Sequence, residues 1–412
     1  MTESIFNELK ARGFIAQVSD EAAVRKMLDE KKTTFYIGFD GTAASLHAGS
    51  LVPIMAMIHL RRAGHRAIAL IGGGTTMVGD PSGRTEMRQI LDETTIRSFG
   101  ESIRAQLDRY LKFDGAGALA VNNADWLLPL KYIEFLRDIG RHFSVNRMLA
   151  AEAYKIRLER GLSFIEFNYQ LLQAYDYLTL FRTYGCTLQM GGDDQWGNIL
   201  AGVDLVRRVE GAAVEALTFP LLTTSAGAKM GKTAQGAVWL DGSLCPPYDY
   251  FQYWINTDDR DVGRFLRLYT LLPLGEIQRL ESLAGSELNE AKRILAYEAT
   301  ALTHGEDAAR DARAAAAAAF GGSGQKDAAS LPTTAVARGR LEAGIAPAEL
   351  FAEIGLAPSR GEAKRLIAQG GLSVNNEKID SLDRKLTLAD IGPDGMILKA
   401  GKKKIHRVVA DD

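Results

Sequence analysis

The chain has 412 residues, of which 46% are hydrophobic and 24% charged. That is the balance of a soluble globular protein too long for one ordinary core, so two or three domains are expected. A net charge of -2 excludes a global basic field, so any nucleic-acid contact must come from local patches. Met1 to Gly13 carries Glu3 and Glu8 in an amphipathic pattern rather than a basic start with an apolar stretch, and no apolar run approaches a membrane span. Cys186 and Cys245 have no Cys or His at ligand spacing, which suits a reducing compartment and argues against structural zinc. The expected location is the cytoplasm.

Residues 34 to 39 alternate, with Phe35, Ile37 and Phe39 on one side and Tyr36, Gly38 and Asp40 on the other, as a strand would place them. His47-Ala48-Gly49-Ser50 follows. Leu51 to Arg62 then reads as a helix, Arg66 to Ile71 as a second strand, and Gly72 to Gly74 as a tight turn before the loop Gly79-Asp80-Pro81-Ser82-Gly83. Strand, turn, helix, strand begins a parallel α/β sheet, and ligands gather at the carboxyl ends of such strands. Asp40 and the glycine-rich turn belong at that end. A His, a small residue and Gly at a helix start suit a triphosphate: glycine permits close approach, imidazole donates to phosphate oxygens, and the helix N-terminus favours negative charge. Taken alone, these four residues read equally as a capping turn.

Tyr169, Gln173 and Asp176 stand at spacings of four and three, which puts them on one narrow helical stripe. Phe164, Ile165, Phe167, Leu171, Leu172 and Leu178 spread around the rest of that helix, so it is expected to be buried on most of its circumference. A buried polar stripe needs a ligand or distant partners, and Tyr36 and Asp80 are candidates to converge on it. Taken singly, Tyr36 reads as core and Asp80 as a turn residue before Pro81.

Lys229-Met230-Gly231-Lys232-Thr233 offers two ammonium groups on a polar loop, able to follow charge on a transferring phosphate. A solvated lysine loop is the blander reading. A Walker loop is disfavoured because its first glycine falls on Ala226 and the segment lies well after the first strand and helix, and the dinucleotide fingerprint fails because Met77 stands at its third glycine. From Pro246 to about Phe320 the strand signals fade and a separate helical domain is expected. Poly-alanine at Ala314 to Ala319 then leads into Gly321-Gly322-Ser323-Gly324. Residues 321–344 read as linker, and 345–412 as a small third domain with two helices and short strands.

In this order the motifs resemble the bacterial tyrosyl-tRNA synthetases, class I aminoacyl-tRNA synthetases, across essentially the whole chain. The landmarks are Tyr36-Ile37-Gly38-Phe39-Asp40, a HIGH-type His47 to Ser50, Gly79 to Gly83, Tyr169 with Gln173 and Asp176, Gly192-Asp193-Asp194-Gln195-Trp196-Gly197-Asn198, and a KMSKS-type Lys229 to Thr233. The resemblance implies an α/β fold: a Rossmann-like parallel-sheet catalytic domain over 1–245, a helical domain over 246–320 and an α+β, αL-type RNA-binding domain at the C-terminus. It implies that tyrosine is activated by ATP to tyrosyl-adenylate and transferred to the 3' end of tRNA(Tyr) by a homodimer. Mg²⁺ would ride on the ATP phosphates, with no tightly bound metal or organic cofactor.

The same resemblance implies that Tyr36 and Asp176 hold the phenol hydroxyl, and that Tyr169, Gln173 and Asp80 hold the α-ammonium group. Gln195 would lie near the reacting carboxylate, and Gly192 and Asp194 at the ATP ribose. Asp40, Thr42, His47, Gly49, Ser50, Lys229, Lys232 and Thr233 would handle ATP and its phosphates, with Arg84 and Arg88 on pyrophosphate. Arg360, Lys364 and Arg365 on one helix, with Lys402, Lys403 and Lys404, would grip tRNA phosphates. Phenylalanine would leave Asp176 and Tyr36 buried without a partner; a rejection of roughly 10⁵ without editing is the established figure for this family.

Three positions depart from the family pattern: Ser50 replaces the second His of HIGH, Gly41 replaces a common Pro, and Asp193 replaces a common Ser. Two other readings stay open. One is a tryptophanyl synthetase, to which a phenol-type pair at Asp176 and Tyr36 is poorly suited. The other is a catalytically impaired RNA-binding protein that retains the fold, favoured only by Ser50.

Overall fold

The computed structural model describes residues 4–411 apart from 83–90, 151–153, 155, 156, 160, 226, 228, 229, 234, 235, 321–330, 376, 393, 394, 402 and 403. Two compact units divide the chain: Met1–Cys245 with Asp258–Ala291, and Pro246–Thr257 with Lys292–Asp412.

The first unit is built on six strands, β1 (Gln17–Val18), β2 (Thr34–Phe39), β3 (Arg66–Ile71), β4 (Ala118–Asn122), β5 (Cys186–Gly192) and β6 (Glu215–Phe219). Their order is β1-β6-β5-β2-β3-β4. β2 to β6 are mutually parallel and β1 lies antiparallel on the β6 edge. Parallel neighbours need crossovers, supplied by the helices Leu51–Arg62, Glu93–Leu111, Phe164–Tyr184 and Trp196–Glu210. Both faces of β2 are therefore covered, and Phe35, Tyr36, Ile37 and Phe39 are all buried. The sheet grows one way from β2 through β3 and β4 and the other way through β5 and β6. This reversal opens a crevice at the carboxyl ends of β2 and β5.

The expected helix Leu51–Arg62 is present. It starts from the short turn Ala48–Ser50, where His47 Nδ1 accepts the Gly49 N–H at 3.0 Å. The helix Phe164–Tyr184 is set by a capping box between Ser163 and Glu166 and closed by Gly185 at φ 62. Its burial is less complete than expected: Phe164 is 70% exposed and Ile165 39%, while Tyr169, Leu171, Asp176 and Leu178 are buried.

The segment 246–320, expected as one helical domain, is divided. The helices Val262–Tyr269 and Leu274–Glu281 belong to the first unit, where buried Arg12 donates to the carbonyls of Arg267 at 3.3 Å, Thr270 at 3.3 Å and Leu272 at 2.7 Å. The helices Pro247–Ile255 and Glu306–Phe320, with most of Leu288–His304, belong to the second, where Tyr250 Oη lies 3.1 Å from Thr303 Oγ1. Periodicity identifies each helix but does not say which neighbour takes its apolar face.

Two short strands, β7 (Lys232–Thr233) and β8 (Gly236–Ala237), form a hairpin in the first unit. In the second unit β9 (Thr333–Ala337), β10 (Leu372–Val374), β11 (Glu377–Lys378), β12 (Met396–Ala400) and β13 (Lys404–Asp411) form a sheet of order β11-β10-β12-β13-β9. Leu341, Phe351, Ile367, Leu372, Met396 and Leu398 form its core with the flanking helices. The expected linker 321–344 therefore ends early, because β9 and the helix Arg338–Ala343 lie inside it. β9 has only Val336 buried, so it shows no apolar alternation despite its β-branched Thr333, Thr334 and Val336, and its pairing comes from β13 at the far end of the chain. Among the described residues no helix is long and apolar enough to cross a membrane.

Candidate active site

A cavity of about 1210 Å³ opens where β2 and β5 diverge. β2 supplies Tyr36 and leads into Asp40 and Thr42, and the helix start supplies His47 and Ser50. Asp80 comes from the loop after β3, Tyr169, Gln173 and Asp176 from one face of the helix Phe164–Tyr184, and Gly192, Asp194 and Gln195 from the end of β5. Residues distant in sequence thus converge at one sheet end.

Asp176 is 1% exposed. Its Oδ1 accepts from Trp126 Nε1 at 2.7 Å and its Oδ2 from Asn123 Nδ2 at 2.9 Å. Burial pushes its pKa up to about 7 against the pull of these two donors. Each carboxylate oxygen can accept a second bond, so capacity remains for a ligand. Tyr36, also buried, holds a hydroxyl with no hydrogen-bond partner among the described residues. Burial, then the Asp176 charge, holds that phenol well above its ordinary pKa, so it stays a neutral donor. Gln173 Oε1 is another buried polar atom without a hydrogen-bond partner among the described residues, and unsatisfied buried groups lining a cavity suit a polar ligand.

Asp80 accepts from Gln195 Nε2 at 2.6 Å and from the Ser82 N–H at 2.9 Å. Asn198 bridges Ser82 Oγ at 3.0 Å and Gln195 Oε1 at 3.2 Å, fixing the β5 turn against the Asp80 loop. Burial first, and the neighbouring Asp80 charge second, raise the Asp194 pKa. Asp193 turns its carboxylate toward the β1 edge, where Gln17 Nε2 donates at 2.7 Å and Thr218 Oγ1 at 2.8 Å.

The second lysine motif also arrives here. Val238 N–H donates to Gly231 O and Ala48 N–H to Val238 O, both at 2.8 Å. A Cβ on Gly49 would stand 2.8 Å from the Met230 carbonyl, and Gly231, at φ 77, has no room for one against the Gly49 nitrogen. Glycine at both positions lets the two loops touch. Lys229, Arg84 and Arg88 lie outside the described residues, and of Lys232 and Thr233 only the backbone is described.

Sequence reasoning missed Asn123 and Trp126. Asn123 also accepts the Gly74 N–H at 2.7 Å and donates to Thr75 Oγ1 at 2.9 Å, which ties Asp176 to the glycine turn after β3. The available signal was position: both residues follow directly on the carboxyl end of β4, where a parallel sheet collects ligands.

A family described as "tRNA synthetases class I (W and Y)" matches residues 28–321, and an S4 domain matches residues 350–391. The tyrosine-tRNA ligase of Desulfatibacillum aliphaticivorans is 55% identical over 430 residues, covering all of both chains, and that of Syntrophus aciditrophicus is 56% identical over 419 residues and 98% of each. The chain belongs to the tyrosine-tRNA ligases. A C-terminally truncated mitochondrial tyrosyl-tRNA synthetase from Aspergillus nidulans is 31% identical and superposes with a TM-score of 0.69, covering 76% of this chain and 92% of that one. Nothing in these comparisons favours an impaired descendant.

The S4 match falls on the C-terminal sheet unit expected to bind RNA. Its basic residues are partly neutralised: Arg360 pairs with Glu349 at 3.2 Å and Arg365 with Glu362 at 2.6 Å. Lys364 is exposed and Lys404 opens β13, whereas Lys402 and Lys403 lie outside the described residues.

Proposed function

We propose that this tyrosine-tRNA ligase binds tyrosine with its phenol donating to Asp176 and accepting from Tyr36, and with its ammonium group held by Gln173, Tyr169 and Asp80. The observation that carries the reading is the pairing, at one end of the cavity, of a buried carboxylate with spare acceptor capacity and a buried phenol without a partner. A hydroxyphenyl group satisfies both at once, and phenylalanine satisfies neither.

ATP would lie toward the other end, its ribose near Gly192 and Asp194 and its phosphates over Asp40, Thr42, His47, Gly49 and Ser50. Lys229, Lys232 and Thr233 would approach the same phosphates, Arg84 and Arg88 the pyrophosphate, and Mg²⁺ would be carried on the phosphates. The tyrosine carboxylate, near Gln195, attacks the α-phosphorus as the bond to pyrophosphate breaks. It is already a nucleophile, so the site contributes positioning and charge stabilisation and needs no general base. A terminal ribose hydroxyl of tRNA then attacks the adenylate carbonyl and AMP leaves. Arg360, Lys364, Arg365, Lys402, Lys403 and Lys404 would meet tRNA phosphates, with affinity falling as salt rises.

Testing the twenty amino acids in ATP-pyrophosphate exchange checks the assignment: tyrosine alone should support it, and equal exchange with phenylalanine or tryptophan would refute it. A homodimer is part of the same proposal. Tyr132, Ile133, Val145 and Phe164 are at least 57% exposed, and apolar side chains bared in this way are candidates for burial in a partner interface. Sedimentation should show a dimer in the wild type and a monomer in Phe164→Asp. Cys186 and Cys245 form no disulfide among the described residues, which supports a cytoplasmic location.

A further inference from the structure

We infer that Gln106, with Ser45, clamps the stretch leading into His47 and is a positioning residue for attack on ATP; this rests on the reading that the His47 turn takes the ATP phosphates. Gln106 sits on the helix Glu93–Leu111 and is 3% exposed, as is Ser45. Its amide oxygen accepts the Leu46 N–H at 3.0 Å and the Ser45 hydroxyl at 3.2 Å, while its amide nitrogen donates to the Ala44 carbonyl at 3.4 Å. One side chain therefore meets three consecutive residues immediately before His47.

The clamp extends to the lysine loop. Ser45 shares its single hydroxyl hydrogen between Gln106 and the Leu46 carbonyl at 2.7 Å, and its oxygen accepts the Asp241 N–H at 3.2 Å. The Leu46 carbonyl accepts the Leu240 N–H at 2.9 Å. The segment that returns from Lys232 is thus tied to the same node as the His47 turn. At the other end of the stretch, Gly41 donates its N–H to Thr76 Oγ1 at 3.1 Å, a bond that proline could not make. A Cβ on Gly41 would lie 3.4 Å from the Ile96 carbonyl of the same helix.

Gln106 does not line the cavity, whereas Thr42, Ser45, Leu46 and His47 do. A leucine would serve the apolar face it shares with Ile103 and Leu107. What the amide adds is satisfaction of the polar groups of the approach to His47. A shift of about 1 Å at a reacting group costs about 10²-fold in rate, so loosening this stretch should register in the ATP step and leave tyrosine binding alone.

The test uses the full chain, with the ATP dependence of pyrophosphate exchange measured beside tyrosine affinity by calorimetry without ATP. Gln106→Leu should lower kcat/KM for ATP about 10- to 100-fold while tyrosine Kd stays within about twofold. Ser45→Ala should shift the same parameter less, and the double variant should lose little more than Gln106→Leu alone, because the two act through one node. Gln106→Glu keeps the oxygen that accepts from Leu46 and Ser45 and should recover part of the loss, more at low pH where its carboxyl can donate to Ala44. Should Gln106→Leu fail to fold, Ser45→Ala and Gln106→Glu decide. A folded Gln106→Leu with unchanged ATP kinetics, or with tyrosine affinity weakened equally, overturns the inference. His47→Ala separates the two levels: if it leaves ATP use intact, the underlying site reading falls and the clamp with it, and if it impairs ATP use while the clamp variants do not, the clamp alone falls.

Discussion

At the tyrosine end of the cavity the polar groups stand on regular elements, Tyr36 within β2 and Gln173 and Asp176 within a capped helix, with Asn123 and Trp126 bracing the carboxylate from behind. At the phosphate end the contacts come from turns: His47 to Ser50, and the Gly231 loop laid against Gly49. The first arrangement is preformed and leaves specific polar atoms waiting for a ligand. The second relies on backbone approach permitted by glycine. On the proposed reading, selectivity for the amino acid and stabilisation of the phosphates are carried by different kinds of structure. Substitutions at one end should be separable from substitutions at the other.

The largest effect should come from Asp176→Ala, which removes the phenol's acceptor, takes the acceptor from half-buried Trp126 Nε1 and leaves Asn123 Nδ2 with Thr75 Oγ1. Tyrosine-dependent exchange should fall on the order of 10²- to 10³-fold in kcat/KM for tyrosine. Lys232→Ala should cost about 10²-fold in kcat with tyrosine affinity unchanged in calorimetry; an equal loss of tyrosine binding would erase the distinction between the two ends. Tyr36→Phe should weaken tyrosine about fivefold, the worth of one neutral hydrogen bond. The same change should leave the thermal midpoint of the free protein unaltered or raised, since it deletes a hydroxyl that has no partner.

A separate effect, read in stability rather than in activity, is one of pH. The folded Asp176 carboxyl keeps its proton up to about 7, whereas an unfolded one releases it near ~4. The folded state therefore binds the proton more tightly between these values. The stability from this group is fully present below the lower value and is lost as pH rises through about 7, by up to ~1.4 kcal/mol per unit. Urea midpoints from pH 4.5 to 8 should decline less steeply in Asp176→Asn than in the wild type.

The stripe Tyr169, Gln173, Asp176 was legible because helical geometry alone places those three residues together, and the excess of apolar neighbours forces the question of what partners them. Strand β2 and the His47 turn were legible for a similar local reason. Asn123 and Trp126 were not, because their role depends on β4 lying beside β3, a pairing no local pattern encodes. The strand β9 hid in a run that reads as linker, since its partner is the last strand of the chain. The division of residues 246–320 was equally invisible: Val262–Tyr269 buries Val262, Phe265 and Leu266 in the first unit and is tied there to Arg12, whose carbonyl partners lie far along the chain. Asp193 shows the reverse case, a departure visible in sequence whose consequence became clear only when its carboxylate was seen to face Gln17 and Thr218.

Calorimetric titration of tyrosine and phenylalanine into the wild type and into Asp176→Asn, without ATP, bears most directly on recognition of the phenol by the buried carboxylate. The wild type should bind tyrosine and show no measurable heat with phenylalanine, and the variant should lose most of that preference. A variant that binds tyrosine as tightly and as selectively as the wild type would contradict the account.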